Sequence, residues 1–480
     1  MRHTCIGALT LERGFLLQHP HTRACITVTL LTLFVSAEAT ASSKFERDSL
    51  IFRERVIVPG PLVVAPNEAD RDAAPAAAGE FGPHNLYSEA YWNAVSEIDL
   101  DGSRRAARNR AELEFARGLS LLAAGDRDRA ETAFAALSTD VSDVNVAVAS
   151  QIMLAHTLLY EQKWSLLRDL PRSPTSGVAD TKNTVEIERW GRAFANTEAQ
   201  AVAFPSQPVS VPLRRTRVGT PAISVKINGR EYTFWLDTGS SMTVLSSAVA
   251  EKTRTPIISG DTLAVRTFAG TAAVRAALVR KIELGSIVLT NSPVIVMDAS
   301  MMRVKGSGDG APWANHYVDG IIGWDIIRQL DVLLDFERDV ATFGRPERLH
   351  WDGASPRNLM WLGRPLVEVR TKRGEKLHLA LDTGAQTTLL NAASVEKLGM
   401  SSRPAEANVF GIARTGTPSN RMVPSLSLEI DGNLITLEDV IVYGPTYSGL
   451  IVCDGILGSD IAQFGTVRID ATNGILSVGQ

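Results

Sequence analysis

The sequence has little cysteine. Three occur in 480 residues, and Cys5 and Cys25 fall in an N-terminal stretch that carries the marks of a removable signal. Cys453 is then alone, so no internal disulfide can form and stability has to come from packing. It lies in the apolar run "GLIVCDGILG", where a buried, inert thiol is expected. Charge of one sign is also lacking. Lys plus Arg number 49 against 53 Asp plus Glu, a formal net charge of −4, and there is no long basic stripe. Nucleic acid is therefore not an expected partner. HExxH, paired CxxC, a Walker loop and a Gly-x-Ser-x-Gly elbow are all missing, so neither a metal nor a cofactor is expected.

Long apolar runs are nearly absent. The one near the N-terminus, "ACITVTLLTLFVS", follows Arg2, Arg13 and Arg23 and precedes small residues at Ala37, Ala39 and Ala41. A positive stretch, a short apolar core and an A-x-A-like site predict a secretory signal over 1–41. The alternative is an uncleaved N-terminal membrane anchor. No membrane span is expected once the signal is removed. Residues 42–84 include the Ala/Pro/acid-rich "APNEADRDAAPAAAGE" and are expected to be a flexible linker.

Over 85–200 the apolar spacing is helical. In "AELEFARGLSLLAAGDRDRAETAFAAL" it breaks at Gly125–Asp126, a helix stop followed by a cap. A further helix is expected through "VNVAVASQIMLAHTLLYEQKW". This helix-turn-helix loosely resembles a tetratricopeptide unit, and the region is expected to form a small helical domain, a possible docking site for a protein partner or a removable pro-segment. From about Pro208 the period becomes two, with Gly and Asn-Gly turns between strands.

The strand-rich part is duplicated. "ISVKINGREYTFWLDTGSSMTVLS" is matched by "VEVRTKRGEKLHLALDTGAQTTLLN", and "VDGIIGWDIIRQLDVLLDFERDVATF" by "CDGILGSDIAQFGTVRIDATNGILSV". Landmarks recur in order at similar spacing, which predicts two related lobes, 208–346 and 356–480. Each half carries Asp-Thr-Gly after an apolar strand, and two acids so placed suggest that they work as a pair.

These two loops, with the glycine signatures Gly320–Gly323 and Gly455–Gly458, resemble the aspartic peptidase superfamily in its retropepsin-like, bacterial style. The resemblance covers about 209–480 and omits the helical region. It implies a mainly β fold of two acid-protease β-barrel lobes in one chain, behind a small α-helical domain. It also implies an exported, periplasmic endopeptidase acting on a peptide or protein. The alternative is a catalytically weak peptide-binding module on the same fold. The implied catalytic pair is Asp237 and Asp382, supported by Thr238, Gly239, Ser240, Thr383, Gly384 and Ala385. Gly320, Gly323, Gly455 and Gly458 would let backbone pass under the catalytic loops. A mobile flap is expected near Phe268 and Gly270, or near Phe410 and Gly411. Asp319, Asp325, Asp454 and Asp460 flank the closing glycines and are expected to brace the lobes. Ser240 differs from its counterpart Ala385. In the family a hydroxyl here can donate to the adjacent aspartate, which predicts that Asp237 is the more readily ionised partner and that Asp382 holds the proton.

Overall fold

A computed structural model describes residues 27–28, 89–140, 142–170, 188–216, 219–267, 270–304, 316–349, 357–411, 414–443, 446–448 and 450–479. The expected signal and linker fall outside these residues, apart from Thr27–Val28, which pairs in parallel with Val409 and Phe410. The loop from Pro171 to Thr184 also lies outside them.

The helical region is built from α1 (Glu89–Ser96), α2 (Leu100–Ala106), α3 (Arg110–Ala123), α4 (Arg127–Leu137), α5 (Val144–Tyr160) and α6 (Trp164–Arg168), with α7 over 188–194. The break at Gly125–Asp126 has a local cause. Gly125 takes φ of 78°, where a side chain would be strained, and the Asp126 carboxylate accepts from the Arg129 N–H to start α4. α5 is buried from Val146 to Tyr160. A helix apolar on every side belongs at the centre of a core, and α5 packs against both α4 and α6.

The first lobe comprises β1 (Val209–Arg215), β2 (Pro221–Ile227), β3 (Arg230–Leu236), β4 (Val244–Ser246), β5 (Ile257–Thr267), β6 (Gly270–Leu284), β7 (Ile287–Met297), β8 (Gly320–Ile322), β9 (Asp331–Asp335) and β10 (Val340–Gly344). The second has β11 (Leu359–Trp361), β12 (Pro365–Thr371), β13 (Lys376–Leu381), β14 (Leu389–Asn391), β15 (Arg403–Gly411), β16 (Arg414–Ile430), β17 (Asn433–Tyr443), β18 (Gly455–Leu457), β19 (Thr466–Asp470) and β20 (Ile475–Gly479). Each lobe closes into a six-strand barrel: β2-β3-β8-β4-β7-β6 returns to β2, and β12-β13-β18-β14-β17-β16 returns to β12. The expected mainly β fold of two related barrels behind a helical region is the observed one. A short strand, Ala201–Ala203, precedes the first lobe and pairs with β7.

Period-two patterning decides what fills each barrel. Phe234 and Leu236 on β3, Leu245 on β4 and Ile322 on β8 share one core with Leu379 and Leu381 on β13, Leu390 on β14 and Leu457 on β18. The residues between them, Trp235, Val244, Ile321, Ala380, Leu389 and Ile456, join a second core together with the helical region. The lobes are also stitched by backbone. β9 pairs antiparallel with β19 from Asp331↔Asp470 to Asp335↔Thr466. Arg468 donates to both carboxylate oxygens of Asp331 across this seam, at 3.0 Å each. The two barrels therefore meet along this seam as well as at their centre.

The closing strands explain their glycines. A Cβ on Gly455 would lie 2.0 Å from the Leu389 carbonyl oxygen, and one on Gly320 would lie 2.2 Å from the Phe234 ring. Gly455→Ala is expected to lower stability by about 3 kcal/mol, because the added methyl meets strand backbone that cannot yield. Gly479→Ala, whose Cβ would make only ordinary contact at 3.5 Å, should stay within about 0.5 kcal/mol. Urea unfolding midpoints of the two variants check this.

Candidate active site

Each Asp-Thr-Gly follows the last residue of a barrel strand, β3 or β13, beside the parallel strand β8 or β18. The ladder continues one step into each loop: the Asp237 N–H donates to the Ile322 carbonyl and the Asp382 N–H to the Leu457 carbonyl, each at 3.0 Å. The carboxylates are thus fixed at strand ends rather than on free loops.

The loops then lock to each other. The Thr238 N–H donates to Thr383 Oγ1 at 3.0 Å, and the Thr383 N–H donates to Thr238 Oγ1 at 2.9 Å. Both hydroxyls donate onward, Thr238 to the Leu381 carbonyl (2.9 Å) and Thr383 to the Leu236 carbonyl (2.7 Å). Inside this cross, a Cβ on Gly239 would lie 2.5 Å from Asp382 Oδ1, and one on Gly384 would lie 2.5 Å from the Asp237 carboxyl carbon. Each carboxylate rests on the other lobe's glycine. The loops need glycine here because a methyl group would occupy the carboxylate's place.

Both aspartates are fully buried. Asp237 Oδ1 accepts from the N–H groups of Gly239 (2.9 Å) and Ser240 (3.1 Å). Asp382 Oδ1 accepts from those of Gly384 (3.0 Å) and Ala385 (3.1 Å). The two Oδ2 atoms are buried and accept nothing from the other described residues. Burial first, and then the charge of Asp382, push the Asp237 carboxyl well above the usual range. Burial pushes Asp382 up to about 7, while the Arg364 guanidinium pulls it back down. Like charges this close cannot both ionise easily; this is the known property of aspartic-protease dyads and is not particular to this chain.

One expectation is overturned. Ser240 Oγ donates to the Met242 carbonyl at 2.7 Å and not to Asp237. The Ser/Ala difference therefore does not set the proton's place. The asymmetry comes from residues immediately before β2 and β12. Thr220 stands before Pro221, and its hydroxyl donates to the Gly384 carbonyl at 3.3 Å. Arg364 stands before Pro365, is 2% exposed, and acts on Asp382. Burial and the Asp382 charge thus favour the neutral form of Asp237, while Arg364 favours the ionised form of Asp382, a direction opposite to the sequence-based expectation.

The outer acids have matched structural places. Asp325 Oδ1 accepts from Thr243 Oγ1 (2.9 Å), which itself accepts from the Gly323 N–H (3.2 Å). Asp460 accepts from Thr388 Oγ1 (2.7 Å), which accepts from the Gly458 N–H (3.1 Å). Asp454 holds the His378 N–H (2.8 Å) and the Ser394 hydroxyl (2.6 Å), and Asp319 accepts from the Thr233 N–H at 3.5 Å. All four tie closing segments to neighbouring strands or loops. Cys453 and Trp235 are buried, and burial raises the Cys453 thiol to about 11. Phe268 lies outside the described residues. Gly270 begins β6 opposite Thr267, while Phe410 and Gly411 end β15 opposite Thr415 and Arg414. Both segments expected to form a flap are hairpin ends.

Residues 223–326 match the family model described as aspartyl protease. The match contains the first Asp-Thr-Gly and Gly320–Gly323, and lies within the first lobe. Among solved structures, an aspartic proteinase from Irpex lacteus aligns at 13% identity and a TM-score of 0.33, over 57% of this chain and 97% of that one. No curated protein matches the chain.

Thr238→Val should weaken the junction between the lobes. It leaves the Thr383 N–H and the Leu381 carbonyl buried without their partner, at a cost of about 3 kcal/mol. Thr238→Ser keeps the hydroxyl and should recover most of that loss. Unfolding midpoints of the pair give the comparison.

Proposed function

We propose that the chain is an exported aspartic endopeptidase that hydrolyses peptide bonds with a water held between Asp237 and Asp382. The observation that carries this reading is the reciprocal Thr238–Thr383 lock, which presses each carboxylate against the opposite loop. The family match over 223–326 supports it. An ionised Asp382 takes a proton from the water, which attacks the scissile carbonyl carbon. Protonated Asp237 donates to the carbonyl oxygen, and the pair returns a proton to the leaving nitrogen. No cofactor enters these steps. The substrate is a peptide or protein segment lying extended between the lobes. We place the mature enzyme in the periplasm, released by cleavage after the signal over 1–41, with N-terminal sequencing of the exported protein as the check.

The direct test is cleavage of an unfolded protein by wild type, Asp237→Asn and Asp382→Asn. Both variants are expected to lose at least about a thousandfold in kcat/KM, as removal of either half of one acid–base unit should do. Activity roughly halved in each would contradict a shared site, and an inactive wild type that still binds peptide would favour a binding module.

The pH profile tests the assignment of roles. Asp382 must be ionised to act, and its carboxyl sits at about 7. Activity should therefore fall as pH drops through about 7, because the base takes up its proton. Arg364→Met removes the positive charge that favours the ionised form, so the acid limb of kcat/KM should move to higher pH. An unmoved limb would refute the assignment.

A further inference from the structure

A peptidase cleft has to admit an extended chain, yet both aspartates here are fully buried. The surroundings show what covers the approach. The C-terminal end of α5 supplies His156, Leu159 and Tyr160 to a cavity of about 30 Å³. The same cavity is lined by Ser241 and Met242, which directly follow the first catalytic loop, and by Arg364 of the second lobe. At the other end of the helical region, α1 packs on strand Ile451–Cys453, just before β18. Helix residues Val95, Phe115 and Leu158 share one apolar core with Met242, Ala385 and Cys453.

We infer that the helical domain is a built-in plug, which closes the substrate cleft against the catalytic pair and has to swing away before a peptide can bind. This rests on the peptidase reading of the same site. An extended peptide rises about 3.3 Å per residue, so a few residues beyond the scissile bond it must run past the loop shoulders at Ser241–Met242 and Arg364. The helices stand there.

The seam carries a clamp at Tyr160, beside further ties such as the Arg357 donation to the Ala124 carbonyl, and several weak points. The Tyr160 ring lies 4.4 Å from that of Trp361 in the second lobe, and Arg328 of the first lobe stands 4.0 Å above it. Arg328 also donates to the Tyr160 carbonyl. One residue thus ties the helical domain to both lobes, through aromatic and cation–π contacts. The weak points are polar atoms. His156 Nε2, Trp324 Nε1 and Asp325 Oδ2 belong to residues that line the cavity, and each is buried without a hydrogen-bond partner among the described residues. Buried unpartnered groups oppose closure, and water satisfies them once the seam opens.

The test compares the full chain with Tyr160→Ala and Arg328→Gln, which loosen the clamp from its two sides. If a closed state dominates, kcat/KM scales with the open fraction. Both variants should then cleave a quenched peptide substrate at least about tenfold faster than wild type. Both should also bind, by a similar factor more tightly, a peptide with a hydroxyl-bearing tetrahedral carbon in place of the scissile carbonyl. Circular dichroism verifies folding. If Tyr160→Ala does not fold, Arg328→Gln decides alone, because it leaves the apolar core intact. Equal rates and affinities in wild type and variant overturn the plug and leave the peptidase reading standing, as does any decrease in both. Tighter binding without cleavage keeps the plug and overturns catalysis. Neither cleavage nor binding in any of the proteins overturns both.

Discussion

Two threonine hydroxyls govern the arrangement of this molecule. Each accepts the opposite loop's N–H and donates to the carbonyl of the opposite strand end. Four polar groups that would otherwise be buried and unpaired are satisfied by a single reciprocal contact. The geometry leaves no slack, because a carboxylate occupies the space where a Cβ would stand on the facing glycine. Placement of the acids is therefore a by-product of satisfying the backbone at the lobe interface.

Outside that cross, support spreads in pairs. Thr243 with Asp325 and Thr388 with Asp460 carry the closing glycine turns. β9 and β19 form the second junction between the barrels, and the bidentate Arg468–Asp331 contact sits on it. That contact is half-exposed and worth little by itself. The sheet pairing and the threonine cross hold the lobes; the ion pair only lies across them.

Much of this was legible in the sequence because it is local and repeated. Asp-Thr-Gly after an apolar strand, and the Gly-x-x-Gly endings, fix their own backbone and point to two barrels. Helix ends were legible for the same reason, as at Gly125–Asp126. What could not be read depends on directions and on long-range placement. A serine beside an aspartate does not reveal that its hydroxyl turns to the Met242 carbonyl instead. Arg364 acts on Asp382 from the start of another strand, and its only sequence signal is one charge inside the apolar run "MWLGRPLV". The separation of about two hundred residues between Tyr160 and Trp361 likewise says nothing about their meeting.

The glycine-on-carboxylate packing bears on how far the duplicated halves can drift apart. Each half moulds the space of the other at the centre, so a change of shape in one loop has to be answered in the other. A few residues away no such constraint applies, and the halves already differ there, with Thr220 set against Arg364 and Ser240 against Ala385. Electrical asymmetry can therefore be added to a site whose shape stays two-fold, and one fused chain can specialise its two acids where a pair of identical chains could not.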